Sequence, residues 1–173
     1  MENQTNSKSI IINNGLILGT ISVLMSLIMY ALGNHLNPHW SLSLVSTIFT
    51  IAFIILGIKK YKSINDGLIS WGQAVKIGVG ITILAALISV IYNYIFISFI
   101  EPDFMNQLLE VQNQKMIDGG MSEEQIEAAN EMSKKFSSPL ITSAIGIIGA
   151  AILGFIISAI AGAIMKKTEE NDY

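Results

Sequence analysis

Four long apolar runs carry no Asp, Glu, Lys or Arg: Gly15 to Leu32, Trp40 to Ile58, Ile77 to Ile100 and Pro139 to Met165. A bilayer hydrocarbon core of about 30 Å needs about 20 helical residues, with a working range of about 17 to 25, so each run is long enough to cross it. Backbone polar groups inside lipid must be satisfied internally, and the short alternating strands of a closed barrel are absent. The chain therefore reads as an all-α membrane protein with four transmembrane helices, organised as one domain over residues 1–173. Composition agrees: 51% of residues are hydrophobic and 13% charged, against about 25% charged in soluble proteins.

The first run has Lys8 before it, and Ala31-Leu32-Gly33 at its end imitates the small-x-small site of a cleavable leader. Its 18 residues exceed the apolar core of a leader, about 7 to 15, and favour an uncleaved signal anchor. Orientation follows from lysine. Lys8, Lys59, Lys60, Lys62, Lys76, Lys166 and Lys167 share one side of an alternating four-span bundle, and Lys115, Lys134 and Lys135 share the other. The positive-inside rule then places both termini in the cytoplasm.

The loops carry local signals. Asn65-Asp66-Gly67 is a turn sequence because these residues tolerate positive φ. Ser70-Trp71-Gly72-Gln73 fits a capping box that starts the third span before the membrane, with Trp71 at the interface. Phe104, Leu108 and Val111 predict a helix over about 102–117, ended by Gly119-Gly120. Met121-Ser122-Glu123-Glu124-Gln125-Ile126 combines a second capping box with a hydrophobic staple and predicts a helix to about Phe136. Ser138-Pro139 supplies the cap and first position of the last span. The expected result is an external helical hairpin between spans three and four, over about 102–136, docked on the bundle, the bilayer or a partner because it cannot hold a core alone.

Within lipid, helices associate where small residues let backbones approach. In the last span Thr142, Gly146, Ala150, Gly154, Ser158 and Gly162 recur every four residues, a helix-packing ridge, and Gly15 and Gly19 offer the same on the first span. Ser89, Tyr92 and Asn93 near the outer end of the third span are the candidates for a polar lining. Ser and Thr in such helices usually bond their own backbone.

Several chemistries lack their residues. There is no cysteine, hence no thiol nucleophile or zinc-thiolate site. His35 and His39 are four apart, but Pro38 disfavours helix at the residue before it and no third ligand is evident, so neither metal nor any other cofactor is expected. A membrane enzyme would have to assemble its catalytic set from Glu101, Asp103, His35 and His39. A net charge of -3 with no basic block speaks against nucleic acid.

From Trp71-Gly72-Gln73-Ala74-Val75-Lys76 through Ile100-Glu101-Pro102-Asp103-Phe104 and Gly120-Met121-Ser122-Glu123-Glu124-Gln125-Ile126 to Phe136-Ser137-Ser138-Pro139, the chain resembles the domain of unknown function 4199 family. The resemblance implies a four-helix membrane protein of Bacteroidota and an inner-membrane address, and it brings no activity. The reading that follows is a non-enzymatic structural or interaction component, partnered by the lipid bilayer and by another membrane protein or a second copy. The alternative is a small carrier or channel for a neutral or hydrophobic solute.

Overall fold

The structure, a computed structural model, describes residues 2–136 and 138–168; Met1, Ser137 and the last five positions of the domain lie outside the described residues. Its helices are α1 (Glu2–Ala31), α2 (Trp40–Ile64), α3 (Trp71–Ile95), α4 (Phe104–Asp118), α5 (Glu123–Phe136) and α6 (Pro139–Met165), with a π-helical turn over Phe96–Ile100 at the end of α3. Four segments are long and apolar enough to cross a membrane: Ser7–Ala31, Trp40–Ile64, Trp71–Ile100 and Pro139–Met165. The chain is thus an all-helical, multi-pass membrane protein, with α4 and α5 forming the hairpin between spans three and four.

Besides α3, whose start at Trp71 the Ser70 cap marks, two spans outrun their apolar runs. α1 begins well before Gly15 because Ile10 is buried and Ile11 lies over Gly80 of α3, while the Asn14 amide donates to the Ile10 carbonyl at 2.9 Å. α2 continues past Ile58 because Tyr61 is buried and Lys62 reaches across to donate to the Met165 carbonyl at 3.0 Å. Polar residues hide both extensions from a hydropathy reading, yet each contributes a side chain to the core.

The end of the bundle that carries Lys59 to Lys62 and Lys166 to Lys167 is closed by local chemistry. Asp66 and Gly67 take positive φ, 50° and 77°, as the turn requires. The Gln73 amide donates to the Ser70 hydroxyl at 3.2 Å and the Ser70 amide to the Gln73 side chain at 2.8 Å, completing the capping box. Ile69 and Lys167 exchange two backbone hydrogen bonds, 2.8 and 2.9 Å, which seal the C-terminal end of α6 to the start of α3. Beneath this seal lies the core: Ile54, Ile58, Ile69, Ala74, Ile77 and Ile81 are almost wholly buried.

α3 is the central helix and packs most extensively on α6 and α1. On α6 the contact is a ladder of small residues: Gly162 meets Ala74, Ser158 meets Gly78 and Gly154 meets Thr82. Gly15 and Gly19 are buried on α1, where they accept Leu84 and Ile88 of α3. A Cβ at Gly15 would come within 2.9 Å of Leu84 and one at Gly19 within 2.6 Å of Ile88, so both glycines hold space for a neighbour. The ridge departs from a uniform interface at Gly146. Nothing lies within 4 Å of where its Cβ would stand, and Ala150 is only half-buried. Gly146 and Thr142 are therefore not packing residues within this chain; the ladder ends near Gly154 and the helices part.

The hairpin helices fall within two residues of their expected limits. Ser122 and Gln125 form the second capping box, at 2.9 and 3.4 Å, and Ser138 caps α6 by accepting from the Ile141 amide at 3.3 Å. α5 touches α4 through buried Ile126, whereas Met132 and Phe136 remain exposed.

The ladder predicts opposite outcomes for one substitution at two positions. Gly154→Leu should lower thermal stability in detergent by at least 1–3 kcal/mol of overpacking or abolish folding, since its side chain must displace Thr82. Gly146→Leu should leave stability unchanged or raise it by up to about 1 kcal/mol through helix propensity. Equal melting temperatures for the two variants would remove the ladder as the organising contact.

Candidate functional site

Where the ladder ends, a cleft of about 770 Å³ opens between α3 and α6. Leu18 and Ser22 of α1 and Thr50 of α2 contribute to it from behind, and Met105 of α4 lies at its hairpin end. On α3 the wall is Ala86, Ser89, Val90, Asn93 and Ile97, residues that share one helical face. On α6 it is Leu140, Ser143, Gly146, Ala150 and Leu153.

Most hydroxyls here are already committed as donors. Ser22 donates to Leu18, Thr50 to Ser46 and Ser89 to Ala85 of their own helices, at 3.0, 2.9 and 3.1 Å. Thr82 donates to Val79 at 3.1 Å. Each keeps an acceptor lone pair toward the cleft and no free proton. The Asn93 carboxamide is different: no hydrogen-bond partner joins it among the described residues, and it stands in the cleft wall.

Two of the three residues expected as polar lining thus meet in the cleft, Ser89 and Asn93. Tyr92 does not. Its ring lies 5.7 Å from Phe96 and its hydroxyl is buried without a partner. The i, i+4 relation of Ser89 to Asn93 extends to Ala86, Val90 and Ile97, but Tyr92 stands three residues from Ser89, so spacing alone does not exclude it. Ser143 and Gly146 belong to the cleft for a reason sequence periodicity cannot supply, because it depends on where α3 leaves α6.

A second cluster sits at the hairpin end of the bundle. His35 Nε2 and Glu101 Oε2 are 2.8 Å apart, an ion-pair separation without the alignment of a directed hydrogen bond. The His35 ring stacks on Phe104 at 6.0 Å and meets Tyr30 edge-on at 5.1 Å; Phe96 packs against both Tyr30 and Phe104. The cluster joins the end of α1, the first loop, the π-turn and the start of α4. Lys115 adds one exposed tie, donating to Asn37 at 2.8 Å.

Of the four residues that a catalytic set would need, the structure brings together His35 and Glu101 only. His39 caps α2 and pairs with Ser41 at 2.9 Å, and Asp103 accepts from Asn106 at 2.7 Å. No group of three or more His, Asp or Glu placed to hold a metal occurs among the described residues. The His35 cluster is built as a brace, with the imidazole closed in by three aromatic rings.

If that brace holds α4, His35→Ala should raise amide hydrogen exchange across Phe104 to Asp118 on the order of tenfold, from the loss of ring contacts worth about 0.5–1.5 kcal/mol and of the Glu101 pair. Lys115→Ala, which removes an exposed contact, should change the same amides by less than about twofold. Equal exchange in the two variants would show that the hairpin is held elsewhere.

Comparison with known proteins adds one match: the model of the family described as Protein of unknown function (DUF4199) covers residues 13–167. No curated protein and no solved structure matches the chain.

Proposed function

The chain belongs to the DUF4199 family, and on that premise we propose that it is a non-enzymatic structural or interaction component of the bacterial inner membrane, with both termini in the cytoplasm. One observation carries the reading: what the fold builds is a packing device. The lysine-bearing end is a closed core around α3, with the Thr82 and Ser158 hydroxyls turned onto their own helices. α6 exposes an apolar face along its whole length, from Leu140, Ile145, Ile148 and Ile152 to Ile156, Ile160 and Ile164, and at the other end it parts from α3. An exposed apolar face next to an open small-residue surface suits lipid and a further membrane protein or second copy.

The carrier reading keeps one specific support, the cleft beside Ser89 and Asn93. It requires a solute path, and the closed core below Thr82 offers none in this conformation. The lysine placement supports the proposed orientation, since Lys59, Lys60, Lys62, Lys166 and Lys167 gather at the end where α2 and α6 finish.

Reporter fusions test the orientation. Alkaline phosphatase should be active when inserted at Gly119-Gly120 and inactive when joined after Lys167; the reverse pattern would invert the topology. Crosslinking in native membranes followed by purification of the full chain tests the role. A stoichiometric protein partner or homodimer is the expected product, and a lone monomer whose melting temperature rises with an added neutral solute would favour the carrier.

A further inference from the structure

The cleft between α3 and α6 has a polarity gradient that selects a ligand. From Lys76 to Asn93 α3 rises about 25 Å at 1.5 Å per residue, most of the way across a hydrocarbon core of about 30 Å. Asn93 therefore stands near the membrane boundary on the hairpin side. Beside it in the wall are Tyr94 and Ser143, and neither hydroxyl has a hydrogen-bond partner among the described residues. Deeper in, toward Thr82 and Leu153, the wall is apolar except for hydroxyls that already donate to their own helices.

The exposed Asn93 carboxamide offers two donors and an acceptor that no described residue uses, so a polar end seated at the boundary can be hydrogen-bonded there. None of the described residues lining the cleft is Asp, Glu, Lys or His, so a charged headgroup would find no counter-charge. The volume narrows the choice further. The cleft holds about 770 Å³, within the range of roughly 300–1,000 Å³ typical of small-molecule sites.

From this geometry we infer that the cleft is a binding site for one acyl chain of a neutral amphiphile, with the chain lying between α3 and α6 and its uncharged polar end hydrogen-bonded at Asn93, Tyr94 and Ser143. The inference rests on the four-span architecture but not on any protein partner. Partner capture on the exposed Ile145, Ile148 and Ile152 side of α6 and occupancy of this site can fail independently.

The experiment uses the full chain in detergent with a diazirine-bearing monoacylglycerol as photoprobe, and maps the labelled peptides. Labels should concentrate on residues 86–97 and 140–153. Unlabelled monooleoylglycerol should compete at least tenfold better than oleate, whose carboxylate the site cannot neutralise. Gly146→Trp should cut labelling about tenfold or more, because the indole fills the cleft from a position with open space around it. Val90→Phe fills it from the opposite wall, and agreement between the two variants, each checked for cooperative unfolding, separates occupancy from misfolding. Asn93→Leu should weaken competition by about two- to tenfold, the worth of one hydrogen bond. Labelling spread over α1 and α2 in proportion to exposure would overturn the site, as would equal competition by oleate or undiminished labelling in both filled variants. A crosslink between copies through Gly146 would replace the amphiphile with a second chain.

Discussion

The bundle depends on how closely α3 and α6 can approach each other at Gly78 and Ser158 and at Thr82 and Gly154. In water such an approach would be one contribution among many to a hydrophobic core. In lipid it carries more weight, because the alternative neighbour of any apolar side chain is an equally apolar acyl chain and association must come from packing. Ser158 shows how a polar residue is admitted there: its hydroxyl bonds back to the Gly154 carbonyl, which leaves no free donor between the helices. With those two backbones fixed, α1 can seat Gly15 and Gly19 under Leu84 and Ile88, and Gly57 of α2 can seat Ile81. Each glycine removes a side chain so that a larger one on α3 finds a place.

That constraint also explains why the molecule is closed at one end and open at the other. Beyond Thr82 and Gly154 the helices part: Ala86 and Val90 of α3 and Gly146 and Ala150 of α6 line the cleft between them, and nothing lies within 4 Å of where a Gly146 Cβ would stand. Leu18 and Ser22 of α1 and Thr50 of α2 reach the gap from behind without filling it. At the lysine end the capping box, the bridge of Ile69 to Lys167 and the reach of Lys62 to Met165 hold the helices together. At the hairpin end the aromatic cluster around His35 braces α1, α3 and α4, while α6 enters through a short connection from α5 and is left outside the brace.

How much of this could be read in the sequence depended on the range over which each feature is decided. Ser70 with Gln73, Ser122 with Gln125 and the Asp66-Gly67 turn are settled within three residues by hydrogen bonds and allowed φ, so sequence reading recovers them. The four spans follow from length and hydropathy. The ridge on α6 was legible as a periodicity, but Gly154 and Gly146 look alike in sequence and differ only in what α3 presents to them. Tyr92 and Tyr94 both adjoin Asn93 along the chain, yet only Tyr94 lines the cleft while Tyr92 packs on Phe96, a difference that tertiary packing decides. The pair of His35 with Glu101 joins distant loops, and no local rule brings them together. The early start of α1 was hidden because Asn13 and Asn14 lower hydropathy while Ile10 and Ile11 do the packing.

An opening between two helices inside a membrane differs from a pocket in a soluble protein in where its contents come from. The α3 and α6 walls part toward lipid, so an amphiphile reaches the cleft by moving sideways within the leaflet and never crosses water. The transfer brings little hydrophobic gain, since the chain leaves one apolar medium for another. Selectivity must then come from the few polar groups at the boundary. There the unpartnered Asn93 carboxamide, flanked by Tyr94 and Ser143, sets a preference for a neutral hydrogen-bonding end over a charged one. The same logic separates the two faces of α6. Its small-residue face at Gly146 gains from a narrow chain that fills space, whereas the side bearing Ile145, Ile148 and Ile152 is indifferent between lipid and the side chains of another protein.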